Sequence, residues 1–144
     1  MPFIKVWLHY VWATKNREPL LTKQIRQALF EHIRLNAKTK QIFVDRINGH
    51  LDHVHCLVSL GSSQSVDKIA QLLKGEAAFW FNNKSGIMAP KLQWQEDYFC
   101  VSISESGSDS VRAYIDNQEV HHQKKTFAQE YEEFMTKYRF QLMQ

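Results

Sequence analysis

Apolar and polar positions alternate along residues 3–12, FIKVWLHYVW, setting Ile4, Val6, Leu8, Tyr10 and Trp12 on one face and Phe3, Lys5, Trp7 and His9 on the other. A period of two predicts a strand with one apolar face. After Pro19, Thr22 is placed to cap a helix in which Ile25, Ala28, Leu29, His32 and Ile33 recur at helical spacing up to about Lys38. The segments QIFVDRIN (41–48) and LDHVHCLVSL (51–60) read as two further strands, and the short connection through Gly49 makes them a hairpin. Gly61 and the serines after it break the pattern. Ser65 then caps a helix carrying Val66, Ile69, Leu72, Leu73, Ala77 and Trp80 on one side, ending near Asn83. A loop containing Gly86 and Pro90 precedes a fourth strand, YFCVSIS (98–104). Ser108 is the expected cap of a helix over about 108–122, and an amphipathic piece at about 127–140 predicts a terminal helix.

The order strand, helix, strand, strand, helix, strand predicts an α+β fold of the split βαβ kind, ferredoxin-like or RRM-like, with an antiparallel sheet and appended C-terminal helices. Both crossover helices then cover one face of the sheet, and the other is expected to stay open to a ligand or partner. Neither an internal repeat nor a linker interrupts the 144 residues, so one domain over 1–144 is expected. No apolar run of about 18 residues exists, and the N-terminus lacks a signal-peptide pattern, which predicts a cytoplasmic protein without a membrane partner. A formal charge of +3 suits a nucleic-acid partner without demanding one. Cys56 and Cys100 lie in apolar strand runs with no zinc or disulfide spacing, and are expected to be reduced and buried. Seven histidines are more suggestive, because histidine is the commonest metal ligand.

Side chains alternate across a strand, so His53 and His55 project from one face, close enough to share an ion. Val54, Cys56, Val58 and Leu60 form the apolar row that belongs against the helices, which leaves the histidines on the open side. An isolated H-x-H is more often two half-exposed histidines on a polar face than a metal site, and His50 and Asp52, in the turn or on the apolar parity, are not expected to be ligands. Tyr114 and Gln118 stand one helical turn apart and address the same spot. The plain alternative is a packed phenol beside a solvated amide; Val111 and Ile115, however, supply a separate apolar stripe. A phenol with its usual pKa near 10 is a weak nucleophile at neutral pH, and a divalent ion that polarises a phosphate would offset this.

GHLDHVHCLVSL and VRAYIDNQ together resemble the two motifs of HUH endonucleases, and the single tyrosine, the Y-x-x-x-Q spacing and the short chain resemble most closely the small transposases of the insertion sequence 200/605 family. The opening FIKVWLHYVWATKNREPLL, QLLKG and WQEDYFCVSISES resemble family segments in the same order. The resemblance implies a transposase that cleaves and rejoins single-stranded DNA through a 5′-phosphotyrosine and recognises hairpins at element ends. It implies Tyr114 as nucleophile and His53, His55 and Gln118 as ligands of Mg²⁺ or Mn²⁺. It also implies a homodimer, in which the tyrosine helix can act in trans on the partner's metal site. Lys74, Arg112, Lys124 and Lys125 are the candidate DNA-backbone contacts, each also readable as a solvated surface charge. A relaxase or replication initiator would use the same chemistry in a longer chain. A domesticated transposase-like protein acting on chromosomal repeats is a further possibility. A non-enzymatic RRM-like module would instead stack bases on Phe3, Trp7, His9 and Tyr98.

Overall fold

The computed structural model describes residues 2–140, so the ends of the expected 1–144 domain lie outside the described residues. Its strands are β1 (Trp7–Thr14), β2 (Phe43–Gly49), β3 (His53–Ser59) and β4 (Trp94–Ile103). The helices are α1 (Lys23–Thr39), α2 (Val66–Gln71), α3 (Ala77–Asn83), α4 (Ser108–Asp116), α5 (Gln118–His121) and α6 (Phe127–Tyr138). The four strands form one antiparallel sheet in the order β2-β3-β1-β4, the arrangement expected of a split βαβ unit.

Local chemistry accounts for the helix starts. The Thr22 hydroxyl accepts from the Ile25 N–H at 3.4 Å, and the Ser65 hydroxyl from the Lys68 N–H at 3.1 Å. Thr126 and Gln129 make a reciprocal capping box at the start of α6. Between α2 and α3 the chain widens into a π turn at Leu72–Glu76, which includes Lys74 and Gly75.

Several boundaries differ from the pattern reading. β1 begins at Trp7, the first residue paired on both sides, with Ser59 and Ile103; Phe3 and Ile4 are exposed. β4 begins at Trp94, four residues before the expected start, because the polar run Gln95–Asp97 lies on an edge strand, where charged side chains reach water. The tyrosine helix is broken at Asn117, whose φ of −103° and ψ of 28° separate α4 from α5. Ser108 is the first residue of α4 and not its cap; its hydroxyl donates to the Glu105 carbonyl at 2.8 Å.

Leu8, Tyr10, Trp12, Val54, Cys56 and Val58 pack against Leu29 and Ile33 of α1 and Ile69, Leu73, Ala77 and Phe81 of the second crossover. That is the apolar row read from the sequence. The opposite face is not open, as expected, but covered by α4 and α6. Trp7 and Leu57 are buried there against Ile115, and Val11 and Ala13 against Phe127, with Phe99 and Phe134 beside them. The reason is apolar area: Trp7, Val11 and Phe99 on this face need a cover, which the appended helices provide. Polar ties seat α4 on its own hairpin. Asn48 donates to the Ile115 carbonyl at 2.9 Å, and Arg112 Nε to Asp45 Oδ2 at 2.7 Å.

Candidate active site

β3 is an interior strand with neighbours on both sides, so its side chains are held in a fixed register: Ala13 opposite His53, and Val11 and Asn48 opposite His55. His53 and His55 point to the α4–α6 side with ring centroids 5.2 Å apart, and both are wholly buried. Each imidazole is oriented by a neighbour through Nδ1. Asp52 Oδ1 lies 2.8 Å from His53 Nδ1, and His9 Nε2 lies 2.9 Å from His55 Nδ1.

A carboxylate accepts only, so His53 carries its proton on Nδ1 and turns the Nε2 lone pair inward. There it meets Gln118 Oε1 at 3.2 Å. The amide of Gln118 is oriented by its own Nε2, which donates to the Tyr114 carbonyl one turn back at 3.1 Å. Gln118 Oε1 also lies 3.1 Å from His122 Nε2, so that oxygen and the His53 ring are placed to share a cation. Glu130 adds a carboxylate from α6. Its Oε1 lies 2.9 Å from His55 Nε2, and its Oε2 lies 3.0 Å from His122 Nε2. His55 Nε2 and Glu130 Oε2 are nevertheless buried without a hydrogen-bond partner. The buried His/Glu donor set fits a divalent ion, and the donor atoms of His53, His55 and Glu130 all lie within 4.8 Å of one another.

Tyr114 reaches the same place from α4. Its ring lies 5.4 Å from that of His55 in the same chain, and its hydroxyl donates to Glu130. Burial, reinforced by the adjacent carboxylate, pushes the phenol well above its ordinary pKa. For Glu130, burial alone would raise the carboxyl, but the His122 and His55 contacts override it and hold the group well below the usual carboxylate range. Burial, with His55 nearby, lowers His9 to about 3, and burial lowers His55 to about 4 against the opposing pull of Glu130. Both rings are therefore neutral at neutral pH, the form in which imidazole ligates.

The structure thus gathers His53, His55, Tyr114 and Gln118 in one chain, whereas spacing alone could not bring the strand pair and the helix pair together. Four participants were missed. His9 is marked only by lying on the same strand parity as Trp7, and Asp52 adjoins the pair but had been set aside as a turn residue. Glu130 and His122 carry no local signal, since each looks like a solvated helix residue. Among the expected backbone contacts, Lys74 Nζ is turned inward, donating to the carbonyls of Gln95 and Glu96 at 3.0 Å and Asp97 at 3.4 Å. Arg112 pairs with Asp45 and Asp109 and lies over the Trp7 ring. Lys125 pairs with Glu133, and Lys124 is exposed. The stacking surface considered for an RRM-like module is not formed. Trp7 and His9 are buried beneath α4 and α6, and Phe3 lies outside the sheet.

A split βαβ sheet with an H-x-H pair on an interior strand and a tyrosine on the helix above it is the arrangement of a tyrosine nuclease of the HUH class. Residues 3–118 match the family model described as "Transposase IS200 like", so the chain belongs to that family, whose members transpose single-stranded DNA. Comparison with curated proteins gives no match. Among solved structures, a candidate transposase from Deinococcus radiodurans R1 has a similar fold, with a TM-score of 0.62 and 22% identity over 81% of this chain and 93% of that one. A REP-associated tyrosine transposase bound to a REP hairpin is similar to the same degree, with a TM-score of 0.62 and 19% identity over 85% of this chain and 72% of that one. At these identities the likeness speaks for the fold. No helix among the described residues is long and apolar enough to cross a membrane.

Proposed function

We propose that this transposase cleaves and rejoins single-stranded DNA at the ends of a hairpin-bounded element, with Tyr114 as nucleophile and His53, His55 and Gln118 as ligands of Mg²⁺ or Mn²⁺. The observation that carries this reading is the convergence of the Tyr114 hydroxyl, the inward lone pair of His53 and Gln118 Oε1 on one buried spot. When bound, the ion withdraws charge from the scissile phosphate and orients it for in-line attack. Asp52 and His9 hold the two imidazoles in the orientation that presents Nε2. Tyr114 Oη forms a bond to phosphorus as the P–O3′ bond breaks; the phenolic proton leaves and the 3′-oxygen takes one up. The 5′-phosphotyrosine stores the bond energy, so the free 3′-hydroxyl of a second end reverses the step without an external energy source.

Hairpin DNA as the substrate is supported by family membership and by the hairpin bound to the REP-associated relative. Lys124 and Lys125 stand at the exit of the tyrosine helix, where phosphate contacts would guide the strand, whereas Lys74 and Arg112 are already engaged by β4 carbonyls and by Asp45 and Asp109. A homodimer is part of the same reading: among the described residues β4 is an edge strand paired only with β1, which would let it join that of a second copy. The tyrosine helix exchanged between the copies would reach the partner's metal site. A cell with the element in its chromosome would use the enzyme in the cytoplasm.

The test is cleavage of a hairpin-bearing single strand by the purified chain in Mg²⁺ or Mn²⁺. Cleavage that needs the ion and disappears in His53→Ala and His55→Ala supports the reading; cleavage that survives both substitutions overturns the metal site.

A further inference from the structure

Glu130 stands on α6, beyond the segment 3–118 that matches the family, and is 1% exposed. Burying an ionised carboxylate is costly unless a cation or several donors compensate it. No Lys or Arg among the described residues pairs with it; its neighbours are the imidazoles of His53, His55, His121 and His122 and the Tyr114 hydroxyl. Glu130 Oε1 lies 2.9 Å from His55 Nε2, and Oε2 lies 3.0 Å from His122 Nε2 and 3.8 Å from His53 Nε2, yet neither Oε2 nor His55 Nε2 makes a hydrogen bond of good geometry. Ligand atoms on one octahedral ion, with bonds of about 2.1 Å, stand about 3.0 Å apart when adjacent and about 4.2 Å apart when opposite. The 2.9 and 3.8 Å separations from Glu130 to His55 and His53 fall within that span.

We propose that Glu130 is a carboxylate ligand of the ion held by His53 and His55, so that α6 supplies part of the metal centre. The proposal rests on the metal reading above. It adds an anionic oxygen to a neutral donor set, which strengthens binding of hard divalent ions such as Mg²⁺ and Mn²⁺. It also links the ion to the nucleophile, because the same carboxylate holds the Tyr114 hydroxyl.

Mn²⁺ binding to the full, metal-free chain, followed by the electron paramagnetic resonance of free Mn²⁺, tests this. Wild type is expected to bind the ion and His53→Ala to lose it. Glu130→Gln is expected to bind at least about 10-fold more weakly, while Glu132→Gln, on the exposed side of α6, binds as wild type does. Glu130→Gln binding as tightly as wild type, or more tightly, overturns the proposal and leaves the histidine site standing. Wild type that binds no Mn²⁺ overturns both. Should Glu130→Gln fail to fold, hydrogen exchange on the wild-type chain decides: Mn²⁺ that slows exchange of the α6 amides supports ligation, and exchange that is unchanged or faster overturns it.

Discussion

Asp52 Oδ1 lies 2.8 Å from His53 Nδ1, and that contact decides which nitrogen of His53 faces Gln118. The carboxylate belongs to the turn between β2 and β3, so the hairpin itself sets the tautomer of the first histidine. Removing it frees the ring to rotate and to carry its proton on the wrong nitrogen. Asp52→Ala is therefore expected to weaken Mn²⁺ binding about 10- to 100-fold while the fold persists. Equal affinity for Mn²⁺ in a titration of variant and wild type would remove Asp52 from the account.

Acid should unfold the metal-free protein through the same cluster. His9 and His55 are held at about 3 and about 4, below the ordinary 6.5, chiefly by burial. Between pH 6.5 and 4 the unfolded chain binds these protons and the folded chain does not, so stability rises with pH across that window and levels off above it. Glu130, held below its ordinary value, adds a loss in the same direction at lower pH. Thermal unfolding in chelator is expected to give a flat Tm above pH 7 and a falling one from pH 6.5 to 4. A Tm that rises on acidification contradicts the assignment of two buried neutral histidines.

How much of this was legible in the sequence varies with how local the cause is. The parity of β3 put His53 and His55 on the correct side because a strand's period is a property of its backbone, and Val54, Cys56 and Val58 marked the opposite face. Helix spacing likewise put Gln118 beneath Tyr114, even though the helix breaks at Asn117 between them. Glu130 was not legible, because its burial depends on α6 folding back across the sheet, and in an amphipathic segment a glutamate reads as solvated. The covered second face was missed for the same reason. Trp7 and Val11 looked like the minor, polar side of a strand until α4 and α6 gave them partners.

The basic residues divide by whether their charge is already engaged. Lys74 Nζ is turned onto three carbonyls of β4, so Lys74→Met is expected to lower Tm and leave the salt dependence of DNA binding unchanged. Lys124→Ala, at an exposed position, is expected to reduce the slope of log K against log salt by about 0.7 for a single strand, with little change in Tm. Binding isotherms at several salt concentrations, read beside melting curves, separate the two. A reversed pattern would exchange their roles.

Tyr114 is expected to form the covalent bond to DNA. Its ring lies against His55, and its hydroxyl is held by Glu130 and not by the core, so Tyr114→Phe removes one oxygen with little change in packing. The direct measurement is denaturing electrophoresis of the chain after incubation with a labelled, hairpin-bearing single strand and Mn²⁺. A protein–DNA adduct is expected for wild type and none for Tyr114→Phe, with hairpin binding retained. An adduct of undiminished yield in Tyr114→Phe would contradict it.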